Sequence, residues 1–360
     1  MNAVLIIMSF FCILGLIDDF IGGKMGVAED FQSGLTAMGR MCLCYSGFYC
    51  VGITLVEKAS GAIGTLAEVL PFDPSLIIGC LVSSDCGGLP IAMAMAATPA
   101  LGIFTGALVG SGLGCSMGYQ FPYYLSSLNK QLIPMYMQGA AFGLVTVPVG
   151  LLAGGLMIGL ELPQLIANIL PVAVLCLVMI IGFLMNMEAT LKVLLIITRG
   201  ILLLTYVLFG AVVLSLFLPG LNICDFSLVQ EICAVVLRTV VVTCGGLVMA
   251  RLIIRFCHMP VAILGRLLKI NDEAVMGLFL SLFNGLAMLP LLTKMDKRGQ
   301  IMNVAFSVCG AFCLGGQMAF VSAMVDAAAM PAYMVSKLLS GVCAMLVASR
   351  FAIYYKEEAK

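Results

Sequence analysis

Asp85 is the residue in this chain whose surroundings most demand an explanation. It lies in Ser83-Ser84-Asp85-Cys86-Gly87-Gly88-Leu89-Pro90, at the middle of an otherwise apolar segment, 74–97. An ionisable side chain inside such a segment costs about 2.5–3.5 kcal/mol on insertion scales, which makes it a candidate functional residue. The carboxylate could balance a cationic substrate, or Na⁺ or H⁺; it could equally cap a helix or pair with Arg40. Ser83 and Ser84 offer hydroxyls beside it, and Gly87-Gly88 lets backbone approach a ligand closely. A second interrupted segment, 272–293, carries Ser281-Leu282-Phe283-Asn284-Gly285 at its middle. There Asn284 and Gly285 can present amide and carbonyl groups, or form a plain turn. Gln120, Asn303 and Gln317 are further polar groups within apolar runs, able to bind substrate or to hydrogen-bond neighbouring helices. Arg40 and Arg238 also lie in such runs, where a long stem can snorkel, neutralise Asp85 or meet an anion.

These residues must be positioned in lipid. Of 360 residues 62% are apolar and 10% charged, against roughly 25% charged in an ordinary soluble domain. A mean hydropathy of +1.16 excludes a soluble globular protein and a disordered one alike. The 18 basic and 18 acidic residues cancel, which excludes a nucleic-acid footprint. Most of the 15 cysteines sit in apolar runs and read as small hydrophobes. With His258 the only histidine, no Cys/His cluster has metal-site spacing. No cleavable signal peptide, Walker loop or nucleophile–base pair is found, so hydrolase and ATPase activities are unsupported, and no enzyme is expected.

Apolar stretches place spans near 3–21, 33–56, 100–127, 132–160, 163–186, 193–218, 229–254, 301–326 and 330–353, nine in all. The two interrupted segments hold helix-breaking Gly, Pro and Asn-Gly, and backbone freed at membrane depth must be buried in protein or line a cavity. If both are re-entrant hairpins, 15 of the 18 basic residues fall on one side, among them Lys24, Lys130, Lys192, Arg266, Lys269, Lys294, Lys356 and Lys360; Lys58, Arg238 and Lys337 fall on or toward the other. If both cross, the asymmetry collapses. The positive-inside rule therefore favours hairpins and a cytoplasmic C-terminus. A fixed offset of 198 pairs Gly47 with Gly245, Gly79 with Gly277, Gly87 with Gly285, Gly112 with Gly310, Gly118 with Gly316 and Gly143 with Gly341. It also superposes the two interrupted segments. The expected architecture is one all-α polytopic membrane domain, 1–360, with inverted-topology repeats at about 31–160 and 228–353 and a connector at 161–227, a secondary-transporter signature.

Several stretches resemble the ethanolamine utilisation permease family, EutH. They are Phe31-Gln32-Ser33-Gly34-Leu35-Thr36-Ala37-Met38-Gly39, Asp85-Cys86-Gly87-Gly88, Leu144 to Leu156, Gly265-Arg266-Leu267-Leu268-Lys269-Ile270-Asn271, and Lys294-Met295-Asp296-Lys297-Arg298-Gly299. The resemblance runs in order from residue 31 to about 348. It departs at Asn284-Gly285-Leu286, at Gly315-Gly316-Gln317 and at the two arginines. It implies a multi-pass carrier in the bacterial inner membrane that admits ethanolamine. The expected mechanism is facilitated diffusion of a small polar amine without a cofactor, Na⁺ or H⁺ coupling through Asp85 staying open. The alternative is an ion-coupled carrier of another small polar or anionic metabolite. Asp85 would balance the ammonium charge, with Ser83, Ser84, Ser281, Asn284, Gln120, Asn303 and Gln317 as polar contacts and Gly87, Gly88 and Gly285 permitting tight backbone. The expected partners are the substrate and the bilayer; a homo-oligomer stays open.

Overall fold

The computed structural model describes residues 3–129, 131–221, 223–256 and 258–352. Lys130, Lys356 and Lys360, three of the charges counted above, lie outside them. The described residues are helical, with no strand among them. Helix α1 (Ala3–Phe20) precedes α2 (Ala28–Ser46), which continues through a π-helical turn, Gly47–Gly52, into α3 (Ile53–Lys58). After α4 (Ser60–Val69) come α5 (Ser75–Leu81) and α6 (Gly88–Met95), the arms of the first interrupted segment. Helix α7 (Pro99–Gly102) runs on as π-helix over Ile103–Gly114 and Ser116–Gln120 and ends in α8 (Phe121–Ser127). Then follow α9 (Ile133–Met157), α10 (Leu162–Met185) and α11 (Met187–Phe217). The remainder is α12 (Phe226–Phe256), α13 (His258–Leu268), α14 (Asp272–Phe283), a 3-10 helix at Gly285–Lys294, α15 (Lys297–Gly310), α16 (Gly316–Met324) and α17 (Met330–Phe351).

Seven stretches among the described residues are long and apolar enough to cross a bilayer: Ala28–Lys58, Pro99–Ser127, Ile133–Met157, Leu162–Met185, Met187–Phe217, Phe226–Ile253 and Ala327–Phe351. The sequence reading had nine. One of the other two, 3–21, forms α1, whose first turn borders residues outside the described set. The other, 301–326, is not one helix: it breaks at Ala311–Gly315 between α15 and α16. The cause is local. A side chain at Gly315 would collide with the Phe283 carbonyl, and Phe312 is held at φ 59, a left-handed conformation uncommon outside glycine.

Both interrupted segments double back. In the first, the Asp73 carboxylate accepts hydrogen bonds from Ser75 N (3.0 Å) and Ser75 Oγ (2.5 Å), and across the base from Ala97 N (3.0 Å). In the second, Asn271 Nδ2 donates to the Lys294 carbonyl (2.8 Å) and Asn271 N donates to Asp296 Oδ1 (3.0 Å). Each hairpin thus enters and leaves at one place, clipped by a side chain at its foot. The two clips lie 198 residues apart, and so do Ala28 and Phe226, and Lys58 and Phe256, the bounds of the long helices that precede the hairpins.

Small residues let the helices close. On α9, Gly139 and Gly143 face Val304 and Val308 of α15, while Gly150 and Gly154 face Ser336 of α17. Lipid supplies no hydrophobic drive between helices, so close backbone approach and interhelical hydrogen bonds hold them. Thr146 Oγ1 donates to the Ser340 carbonyl (3.0 Å), and Ser340 Oγ donates to the Thr146 carbonyl (3.2 Å). The exposed apolar residues of α10 and α11, such as Leu177, Ile181, Ile196 and Leu203, suit contact with lipid tails.

Asp73→Ala removes a buried acceptor from three donors, and hydrogen bonds to charged groups contribute about 1.5–3 kcal/mol each. The expected outcome is a clear fall in melting temperature of the detergent-purified protein. Glu188→Ala, on an exposed first turn of α11, should change stability by no more than roughly 0.5 kcal/mol.

Candidate substrate site

The hairpin tips meet at a cavity of about 310 Å³. At the first tip α5 ends at Leu81, and Ser84–Cys86 form a single 3-10 turn before α6. Gly87 closes that turn at φ +98, where a side chain would strike the Phe48 ring. The turn leaves Asp85 half-buried and aimed into the cavity. At the second tip Asn284 Oδ1 accepts from Leu286 N (3.0 Å), so the amide that opens the 3-10 helix is capped by its own turn. The break at Ala311–Gly315 completes the wall. Phe312 N donates to the Ser281 carbonyl (2.8 Å) and Leu314 N to the Leu282 carbonyl (2.7 Å). Carbonyls left without a partner at the end of α14 are thereby satisfied.

A chain of polar side chains runs through the wall. Ser83 Oγ donates to Asp85 Oδ1 (2.5 Å), and Gln317 Nε2 donates to Ser83 Oγ (3.2 Å) and to Asp85 Oδ1 (3.5 Å). Gln317 Oε1 accepts from Lys337 Nζ (2.6 Å), which also donates to the Ser111 carbonyl (2.8 Å). Lys337 lies 5.6 Å over the Tyr333 ring and is 2% exposed. A half-buried carboxylate and a buried ammonium therefore lie on either side of one amide. Tyr45, Phe283 and Phe312 give the cavity aromatic surface, suited to a cation through its ring faces.

Asp85, Ser83, Asn284 and Gln317 of the expected residues line this cavity together. The others do not. Ser84 Oγ and Ser281 Oγ are buried without a hydrogen-bond partner. Gly88 packs on the Val82 and Ser83 carbonyls, and Gly285 packs against Tyr124 and Phe312. Gln120 makes one weak contact, to Cys115 Sγ at 3.7 Å. Asn303 Nδ2 binds the carbonyls of Ala274 (2.8 Å) and Gly299 (2.9 Å), a bridge between α14 and α15. Arg40 lines the cavity but is exposed and makes no ion pair with Asp85; Arg238 is exposed outside it. Lys337 went unrecognised as a site residue, because a lysine in an apolar run reads equally as a snorkelling or topology-setting charge. Its position seven residues inside α17 was the available signal. Among the described residues no group of three or more His, Cys, Asp or Glu could hold a metal ion.

Residues 1–351 match the family described as ethanolamine utilisation protein, EutH. The chain is similar to the probable ethanolamine permease EutH of Listeria monocytogenes serotype 1/2a (strain 10403S), 30% identical over 96% of this chain and 92% of that protein. It is 26% identical to the probable ethanolamine permease EutH of Salmonella typhimurium (strain LT2), over 99% of this chain and 98% of that one. A Bacillus subtilis (strain 168) relative, the uncharacterized protein YxeR, is 27% identical over 97% and 94%. No solved structure matches. A match over residues 1–351, with relatives aligned nearly end to end, makes this chain a member of the EutH family of membrane permeases.

Proposed function

We propose that this protein admits ethanolamine, in its ammonium form, across the bacterial cytoplasmic membrane by facilitated diffusion. The observation that carries the reading is the half-buried Asp85 carboxylate at the tip of a helical hairpin, facing a cavity of about 310 Å³. Asp85 Oδ1 is taken by Ser83 and Gln317. Its second oxygen is the natural acceptor for an ammonium N–H, a charge-assisted bond stronger than a neutral one. Asn284, which lines the same cavity, would meet the hydroxyl end through its free amide nitrogen. The printed names of the Listeria and Salmonella relatives favour ethanolamine among small amines. One carboxylate at the cavity suits one monovalent cation per cycle, which favours simple facilitation over cotransport.

The two sets of elements 198 residues apart support an inverted-topology repeat, in which each half contributes one hairpin tip to a site between the halves. That arrangement would put 15 of the 18 basic residues on one side, which supports a cytoplasmic C-terminus. A second reading rests on Arg40 in the cavity wall: an anionic metabolite would use the guanidinium as its counter-charge.

In proteoliposomes, Asp85→Asn should raise the half-saturating concentration of radiolabelled ethanolamine by roughly a hundredfold or more, as expected on losing one partner of a desolvated charge pair. Unchanged uptake by a correctly inserted Asp85→Asn variant sinks the amine reading. Arg40→Lys should leave ethanolamine uptake nearly unaltered, since both residues carry a charge on a long stem. If Arg40→Lys already damages transport and anions compete for it, the anion reading replaces this one, because a point charge does not substitute for a bidentate fork. For topology, single cysteines in segments 257–270 and 294–300 of a variant lacking reactive native thiols should both label from the cytoplasmic face. Labelling from opposite faces would exclude the proposed orientation.

A further inference from the structure

Behind the cavity wall one lysine is buried with its ammonium turned toward the site. Lys337 is 2% exposed and lies well inside α17. A snorkelling lysine would run its stem toward the interface and keep its ammonium in water. This one turns its ammonium inward. Two of its N–H groups have acceptors on other elements, the Ser111 carbonyl and Gln317 Oε1, and the ammonium lies 5.6 Å over the Tyr333 ring. It faces the Asp85 carboxylate across a single amide, that of Gln317.

We infer that Lys337 is the resident counter-ion and positioning residue of Asp85, acting through Gln317 to keep the carboxylate ionised and one of its oxygens open to substrate. The inference rests on the amine reading for its functional meaning. Its geometry is independent of that reading. An Asn or Gln side chain can present either end of its amide. With Lys337 on Oε1, Gln317 can only turn Nε2 toward Ser83 and Asp85, so it donates to the site and never accepts there. Ser83 is fixed in the same sense: receiving the Gln317 N–H, it sends its own proton to Asp85 Oδ1. The cation thus sets the direction of every hydrogen bond up to the carboxylate. Substrate binding adds one positive charge to a neutral pair, and does not require Lys337 to leave.

Several titratable groups also face Asp85. Arg40, Cys44 and Tyr45 come from α2, Cys86 from the same turn, Cys115 and Tyr119 from the helix continuing α7, and Tyr333 from α17. Of these only Arg40 is positively charged at neutral pH. Arg40 is exposed, whereas Lys337 is buried and reaches Asp85 through Gln317.

The test uses the full-length protein in nanodiscs and follows the carboxylic acid C=O stretch by infrared spectroscopy during acidification. The band is assigned to Asp85 by its loss in Asp85→Asn. Lys337→Gln keeps donors for Gln317 and Ser111 but removes the charge. The band should then appear at a pH higher by about one unit or more, the size expected when a nearby opposite charge is lost. Lys337→Arg should hold the midpoint near that of the unmodified protein, and Arg40→Gln should move it less than Lys337→Gln. Radiolabelled ethanolamine uptake by Lys337→Gln should fail at the acidic end of its range and recover toward alkaline pH by the same shift. A general packing defect would not recover with pH. An unmoved midpoint in Lys337→Gln, or an equal shift in Arg40→Gln, overturns the inference. If Lys337→Gln alone does not fold, adding Asp85→Asn must restore yield, since removing both members of a buried pair relieves the unpaired charge that removing one creates; no rescue also overturns it. Ethanolamine uptake that survives Asp85→Asn refutes the amine reading instead, while the infrared midpoints still decide the role of Lys337.

Discussion

Hydrocarbon offers no hydrogen bonds, so every backbone group freed by a helix break in this protein must find its partner in protein or in an enclosed cavity. The site exists because the backbone groups freed at three breaks are answered within the protein. The end of α14 leaves carbonyls open, and the non-helical residues between α15 and α16 supply the amides of Phe312 and Leu314 to them. The turn after α5 folds onto itself, Cys86 N and Gly88 N both donating to the Ser83 carbonyl. At the hairpin feet Asp73 and Asn271 do the same work with side chains. Broken helices are tolerated here only as a set.

The same logic governs charge. Ion pairs on the exposed surface, such as Arg251 with Asp30 at 2.7 Å, contribute little because water screens them. In the interior, Asp85 and Lys337 are opposed across Gln317, and each also holds neutral partners of its own. A desolvated carboxylate or ammonium left alone would be far costlier than either is in this chain. The fold brings them together from opposite ends of the sequence, Asp85 on a hairpin tip and Lys337 on the last long helix.

Much of this was legible from residue types. Gly87-Gly88 and Asn284-Gly285 located both tips, because no continuous helix keeps such pairs without cause, and the charge count favoured segments that double back. Other features were not legible. Residues 301–326 read as one span, and only the collision of a Gly315 side chain with Phe283 shows why the chain must break there. Asn303 and Gln120 had the chemistry of binding residues, yet Asn303 bridges two helices and Gln120 meets only Cys115 of its own helix. A polar side chain's partner is set by tertiary packing, which spacing along the chain does not encode. Lys337 shows the converse: its type was noticed, its direction was hidden.

The helix through Pro99–Ser127 leads to a different kind of conclusion. It is as apolar as a membrane span, yet 89% of its core window is buried inside the protein. Its glycines, Gly106, Gly110, Gly114 and Gly118, meet backbone from both arms of the first hairpin. It is an axle, its greasiness serving solid packing and not solvation by lipid tails. Tolerance to mutation should therefore be divided unevenly among stretches that look alike on a hydropathy plot. The outward faces of α10 and α11 can exchange one aliphatic residue for another freely, whereas the axle has no room for a single added methyl group at several of its turns.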